Sequence, residues 1–124
     1  SLGVSNFDIS LIEKARAIAP ISVNQIRCHI GHQSADLIDH CLLNKIAVTA
    51  YSPLAKQALL NHSTILSIAN EQNRTSAQVA LRWLVQQQIS VIPKASSKQH
   101  LQDNIGIFDW ELTTSQMERL SQVK

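Results

Sequence analysis

Three groups of polar side chains have the types and spacing to do chemistry. Ser5 and Asn6, a hydroxyl and an amide, follow the apolar segment Leu2-Gly3-Val4, and Gln25 supplies a second amide near the end of a run that starts at Ile21. Amides present paired donors and acceptors, which suits a neutral carboxamide or a sugar. The same groups would serve equally to satisfy backbone at strand ends. Tyr51, the single tyrosine, offers a flat face for stacking a ring, or else plain burial. Lys94 precedes Ser96 and Ser97, with His100 and Asn104 one and two turns into a following helix. A cation, hydroxyls and helix-start N–H groups make a cradle for phosphate; the alternative is an exposed lysine beside a serine N-cap. No GxGxxG or P-loop is present.

Catalytic groups are sparse. Proton transfer to a carbonyl needs a donor with a tuned pKa and a charged partner, yet Tyr51 is flanked by Thr49-Ala50 and Ser52-Pro53-Leu54. There are no paired carboxylates in one motif, no GxSxG elbow and no Cys-His dyad, so no catalytic set is assigned. The histidines at 29, 32, 40, 62 and 100 form no HxxxH pair beside a third ligand, and no metal site is expected. Cys28 and Cys41 lack CxxC spacing; buried free thiols are expected, in keeping with a reducing compartment.

The elements that must position these groups alternate regularly. Asp8 caps a helix with Leu11, Ile12, Ala15, Ile18 and Ala19 on one face, ended by Pro20. Ile21 to Ile26 reads as a strand. Ser34 caps a second helix facing inward with Leu37, Ile38, Cys41 and Leu42. Ile46 to Ala50 is the next strand, stopped at Pro53. Ser63 is expected to cap a helix carrying Ile65, Ile68 and Ala69, and Thr75 with Gln78 forms a capping box at the head of the strongest helix. Ile89 to Ile92 is a strand closed by Pro93-Lys94, followed by a short helix around Leu101 and Ile105 and a final one opened by Thr113 and Gln116.

With Leu2-Gly3-Val4 as the tail of a strand, these make four strand–helix units and a C-terminal helix. The fold class is α/β, with a mostly parallel sheet of right-handed βαβ units. The strands are apolar on consecutive residues, which predicts cover on both sheet faces. Each apolar run gives way to polar residues at its carboxyl end, where ligands bind in α/β sheets and barrels.

Composition narrows the class. The 124 residues are 44% hydrophobic with a net charge of +2, too apolar and too balanced for a disordered chain. The charge is scattered, so no nucleic-acid surface is implied, and Thr75 to Gln88 is a poor DNA-recognition helix because Arg82 is almost its only cation. No apolar stretch approaches a membrane span. The chain opens on Ser-Leu-Gly-Val rather than Met, with no signal-peptide pattern, as a processed or excised segment would. A cytoplasmic protein is expected.

At these strand ends the chain resembles the aldo-keto reductase family. The resemblance rests on Gly3-Val4-Ser5-Asn6-Phe7, Asn24-Gln25 with His29, Ala50-Tyr51-Ser52-Pro53-Leu54, Thr75 to Leu84, Val91-Ile92-Pro93-Lys94, and Asn104 followed by Phe108-Asp109-Trp110-Glu111-Leu112. Six motifs in the family's order and spacing extend over the whole chain. The resemblance implies the C-terminal half of a (β/α)8 TIM barrel, strands five to eight, in an oxidoreductase domain over residues 1–124. It implies reduction of aldehydes and ketones with a nicotinamide cofactor, usually NADPH, with NADH as the alternative. Ser5, Asn6 and Gln25 match residues that hold the nicotinamide carboxamide, and Tyr51 matches the aromatic stacked on its ring. Ser52 and Leu54 match the pyrophosphate segment, while Lys94, Ser96, His100 and Asn104 fall around the adenosine 2′-phosphate and adenine.

Four positions depart from the family pattern. Ala95 stands where serine is common, His100 where arginine is common, Asp103 for glutamate, and Arg27 where acidic residues are frequent. Arginine is a permanent planar fork and histidine is not; losing one charge-assisted bond would weaken 2′-phosphate binding by roughly 1.5–3 kcal/mol. The family's tetrad of aspartate, tyrosine, lysine and histidine lies on its first four strands. A (β/α)8 barrel runs to about 250 residues, so this chain is expected to be the cofactor-gripping half, inactive alone, whose small carbonyl substrate is met only in the complete barrel. The alternative is a non-catalytic nucleotide-binding or interaction half-barrel that self-associates, because a half-barrel leaves strand edges and an apolar face open.

Overall fold

The structure, a computed structural model, describes residues 1–55 and 57–124. Its elements in chain order are β1 (Leu2–Ser5), α1 (Ile9–Arg16), β2 (Ile21–Arg27), α2 (Ala35–Leu43), β3 (Ala47–Tyr51), α3 (Gln57–Leu60), α4 (Ser63–Gln72), α5 (Ser76–Val85), β4 (Ile89–Ile92), α6 (Lys98–Ile105) and α7 (Thr114–Ser121). The four strands form one wholly parallel sheet in the order β1-β2-β3-β4. The chain is thus α/β and builds part of a (β/α)8 barrel.

The expected alternation of strand and helix is present, with one difference. Between β3 and β4 the chain makes three helices, α3 in addition to the two expected from Ser63 and Thr75, so the units are not uniform. α3 has no buried residue and no periodic apolar face, which is why the sequence did not announce it.

The helices start where the capping chemistry places them. Asp8 accepts from Leu11 N–H (2.8 Å), and the Thr75–Gln78 and Thr113–Gln116 capping boxes are closed in both directions. Thr75→Ala would open one box and leave the Gln78 backbone N–H without its side-chain acceptor, while the bond from the backbone N–H of residue 75 to Gln78 Oε1 stays available. The expected cost is about 1 kcal/mol, read as a lower urea midpoint with an unchanged slope. Two starts differ from expectation. α4 is capped by His62, whose Nδ1 accepts from Thr64 N–H (3.2 Å), and Ser63 is the first helical residue. Ser34 holds the cap position of α2 but makes no side-chain cap bond. One helix face also ends early. The Ala17 and Ala19 amides turn back onto Glu13 and Ala15 before Pro20, leaving Ile18 outside α1 and 89% exposed.

The core lies between the sheet and the helices. Asn24, Ile26, Val48, Ala50 and Ile89 face it, against Ile12, Ile38, Ile65, Ile68, Val79, Ala80, Trp83 and Leu84. The opposite sheet face is not covered within this chain. Gly3, Ser5, Ala47, Ser90 and Ile92 are exposed there, contrary to the expectation of cover on both faces. In a (β/α)8 barrel the corresponding face looks inward and meets side chains from the other strands.

Cys28 and Cys41 are free and fully buried, as their spacing suggested. Burial pushes the Cys28 thiol up to about 11. It also raises Cys41, against a smaller opposing pull from a hydrogen bond with Asn24. Because the thiolate is the nucleophile, both thiols should resist a disulfide reagent in the native protein at about pH 8 and react together once denaturant is added. Fast labelling of Cys28 without denaturant would contradict the packing.

Candidate functional site

The carboxyl ends of the strands collect the expected polar residues into two clusters. In the first, Ser5 of β1 lies in register with Gln25 of β2. Asn6 follows with a positive φ of 59°, a conformation that asparagine tolerates better than most residues. Its backbone N–H donates to Gln25 O (2.8 Å), and its Oδ1 accepts from the Tyr51 hydroxyl (2.9 Å). Three strands are therefore tied at one place, with Tyr51 at the end of β3 half-buried and its hydroxyl directed to Asn6.

A residue that the sequence reading gave no role holds this cluster in place. Asn24 is 0% exposed. Its Nδ2 donates to Phe7 O (3.0 Å), and its Oδ1 accepts from Phe7 N–H (3.4 Å). One amide thus satisfies both backbone groups of the residue after Asn6 and sets the path of the β1–α1 turn. The available signal was a polar residue two positions before the apolar Ile26 on the same strand face, where a buried polar side chain is tolerated only when it is hydrogen-bonded.

The second cluster lines a cleft of about 290 Å³ between the β3–α3 segment and α6, formed in part by Leu54, Lys94, His100, Asp103 and Asn104. α6 has no fully buried residue, and Leu101 and Ile105 are 53% and 69% exposed. Polar contacts at its C-terminal end anchor it. Gln78 of α5 donates to Asp103 O (3.1 Å) and Gly106 O (3.5 Å), and Arg82 donates to Ile107 O (3.0 Å). Gly106 is suited to this approach, since a Cβ there would come within 3.1 Å of the Gln78 amide nitrogen.

The remaining expected residues sit apart from both clusters. Ser52, exposed and at φ 50°, turns the chain out of β3, with its carbonyl accepting from Ala55 N–H (3.0 Å). Ser96 is exposed and does not line the cleft; Ser97 is the α6 cap, accepting from His100 N–H (3.1 Å). Lys56 falls outside the described residues. Arg27, for which the sequence offered no role, is exposed at the end of β2 beside a shallow groove shared with Asn6, Asp8 and His32. Among the described residues there is no cluster of three metal-ligating side chains and no helix long and apolar enough to cross a membrane.

The arrangement offers an aromatic ring pinned at one edge, amides beside it, and a cleft bearing Lys94 and His100 near a helix start, with Asp103 among its lining. Such features suit a long ligand with a flat polar ring at one end and an anionic group at the other.

Comparison with known proteins bears on the whole chain. A model described as "Aldo/keto reductase family" matches residues 1–124. The NAD(P)H-dependent 6'-deoxychalcone synthase of Glycine max is 34% identical over 131 aligned residues, covering 99% of this chain and 42% of that protein. Among solved structures, the aldose reductase from Schistosoma japonicum superposes with a TM-score of 0.92 at 31% identity, covering 98% of this chain and 40% of the other. An aldo-keto reductase (AKR2E5) complexed with NADPH gives 0.88 at 33% identity, covering 97% and 41%. The chain spans about two fifths of the length of these relatives.

Proposed function

The chain belongs to the aldo/keto reductase family, and from that premise we propose that it is the cofactor-gripping part of an NAD(P)H-dependent oxidoreductase that reduces aldehydes and ketones to alcohols. In this reading residues 1–124 supply strands five to eight of the barrel, and the family's tetrad belongs to the strands before them. The observation that carries the proposal is the three-strand junction of Asn6, Gln25 and Tyr51. A hydroxyl donated to Asn6 steadies the Tyr51 ring as a stacking surface and leaves that hydroxyl unsuited to proton donation.

The residues present fit the cofactor's chemistry. Ser5, Asn6 and Gln25 hold the nicotinamide carboxamide and Tyr51 stacks on its ring. Ser52 and Leu54 follow the pyrophosphate, and Lys94, Ser96, His100 and Asn104 surround the adenosine 2′-phosphate and adenine. Ser96 has the weakest support, being outside the cleft. When bound, the reduced nicotinamide supplies a hydride. This chain's own part is to orient the ring at the open sheet face, where a small carbonyl substrate meets it in the complete barrel. The cofactor in this reading is NADPH, with NADH as the alternative, in a cytoplasmic protein.

The test is nucleotide binding to the 124-residue chain, read by quenching of tryptophan fluorescence on titration with NADPH. Wild type should bind, and Tyr51→Ala should weaken binding by about 1–2 kcal/mol, the worth of an aromatic stack. The chain alone should not oxidise NADPH with an aldehyde; turnover would refute the assignment of the tetrad to another segment.

The uncovered sheet face and the exposed Leu101, Ile105 and Phe108 favour a second reading for the isolated chain, a non-catalytic half-barrel that self-associates. Light scattering separates the two: a monomer that binds NADPH sinks the second, and an oligomer that binds no nucleotide sinks the first.

A further inference from the structure

We propose that Arg27 sets the substrate class of the site: carbonyl compounds that also carry a carboxylate, which the guanidinium holds beside the Tyr51 ring. The inference deepens the proposed function and rests on the reading of the open sheet face as the place where the carbonyl substrate meets the nicotinamide.

Strand geometry brings the cation to that face. Side chains alternate along a strand, and burial in β2 follows the alternation. Asn24, Ile26 and, just past the strand, Cys28 are buried in the core, while Gln25 is half-buried and Arg27 exposed. Arg27 therefore shares the face of Gln25. At seven residues β2 is the longest strand, and it outlasts its first neighbour. Pairing with β1 stops at Ser5 and Gln25, whereas pairing with β3 continues to Arg27 and Tyr51. Beyond Ser5 the chain turns away at Asn6, with φ 59°, so β1 does not flank Arg27. On the other side its register partner is Tyr51, the stacking residue of the proposed site.

The guanidinium is uncommitted. Among the described residues the ion pairs are Arg16 with Glu13, His40 with Glu13, and Arg119 with Glu71, and the Arg27 side chain enters neither an ion pair nor a hydrogen bond. Asp8, the carboxylate that shares its groove, uses Oδ1 to accept from Leu11 N–H (2.8 Å). Ser5, Gln25, Thr49, Tyr51 and Ser90 on the same sheet face are uncharged. Arg27 is thus the one fixed charge that the described strands carry on this face.

An arginine without a partner is a permanent cation whose planar fork matches a carboxylate through two parallel hydrogen bonds. A neutral aldehyde or ketone would cover the guanidinium and strip its water without replacing it, a cost with no return. A carboxylate on the substrate answers the charge and fixes which end of the molecule the ring meets. That group is a handle, unchanged when the carbonyl is reduced. The amides of Asn6 and Gln25 serve the nicotinamide, so the guanidinium is left for the substrate.

The test is a binding titration on the full chain with the oxidised nucleotide NADP⁺ present, so that no carbonyl is reduced. Pyruvate and levulinate are the probes, with their methyl esters as neutral controls, and shifts of the Gln25 and Tyr51 backbone amide resonances give the affinities. At least one acid should bind about tenfold more tightly than its ester. R27Q should erase that preference, R27E should place the acid below the ester, and R27K, a point charge without the fork, should keep part of it. Tryptophan fluorescence reports NADP⁺ affinity in each protein. Acids and esters that bind wild type alike, or a preference that survives in R27Q, overturn the inference and leave the cofactor reading intact. A loss of NADP⁺ affinity in R27Q as large as the loss for the acid assigns Arg27 to the nucleotide and also overturns it. Wild type that binds no NADP⁺ overturns the cofactor reading and the inference with it.

Discussion

Asn24→Leu should destabilise the protein by about 2–4 kcal/mol, because it strands two backbone groups at once. Leucine matches asparagine in size and suits the core-facing position. It cannot, however, accept from Phe7 N–H or donate to Phe7 O, which now rest on the Asn24 amide. Each polar group left without a partner costs roughly 1–3 kcal/mol. Apolar transfer of the new side chain recovers part of that, since the position is 0% exposed. The effect also reaches the site. With Phe7 released, Asn6 keeps its own bond to Gln25 O but loses the constraint on the following residue, and its contact with Tyr51 should loosen. Equilibrium urea unfolding measures the first consequence, and the tyrosine hydroxyl resonance in solution reports the second. A loss below about 1 kcal/mol would mean that water replaces the amide at Phe7, and Asn24 would then be a core residue without a positioning role.

Trp83→Ala should cost about 3–5 kcal/mol, the range for deleting a buried aromatic side chain. The tryptophan is 1% exposed and is the largest of the fully buried side chains. Its indole N–H donates to Ser121 Oγ (3.3 Å), linking α5 to the end of α7. Most of the loss comes from volume and contacts, since a bond of that length contributes little. Trp83→Phe divides the two contributions, keeping an aromatic ring while removing the N–H, and should cost about 1–2 kcal/mol. Denaturant midpoints of the two variants decide the matter. Equal losses would assign the effect to the α5–α7 hydrogen bond, and a loss for Trp83→Ala near zero would mean that α5 is not held against this core.

The two residues differ in how visible they are in the chain itself. Trp83 belongs to the apolar stripe of a helix with a capping box at its head, and periodicity alone places it inward. Asn24 looks like one more polar residue at a strand end, and only the closeness of Phe7, 17 positions away, reveals its work. The same division holds for caps. Asp8, Thr75 and Thr113 act on residues three positions later, within reach of a local pattern. His62 in place of Ser63 was missed because imidazole is not among the usual capping groups.

For the candidate site, type and order were legible and grouping was not. The positions of Ser5, Asn6, Gln25 and Tyr51 at the ends of apolar runs followed from alternation of strand and helix. Lys94, His100 and Asn104 were expected together because they are neighbours in sequence, and the cleft contains all three. The hydrogen bond from Tyr51 to Asn6, 45 positions away, depends on two parallel registers, β1 with β2 and β2 with β3. No local signal specifies those registers. Ser96 shows the converse, a neighbour in sequence that is exposed and does not line the cleft.

Amino-acid order by itself determined the α/β class, the helix starts at Asp8, Thr75 and Thr113, the two buried thiols and the family. Each follows from interactions spanning a few residues or from a pattern that a single chain displays. Tertiary structure alone decided that one sheet face lies open, that Asn24 governs the β1–α1 turn, and that α6 is anchored by Gln78 and Arg82. These are meetings of groups far apart in the chain, and hydrogen-bond geometry selects among them only once the core has brought the elements within about 3 Å of one another.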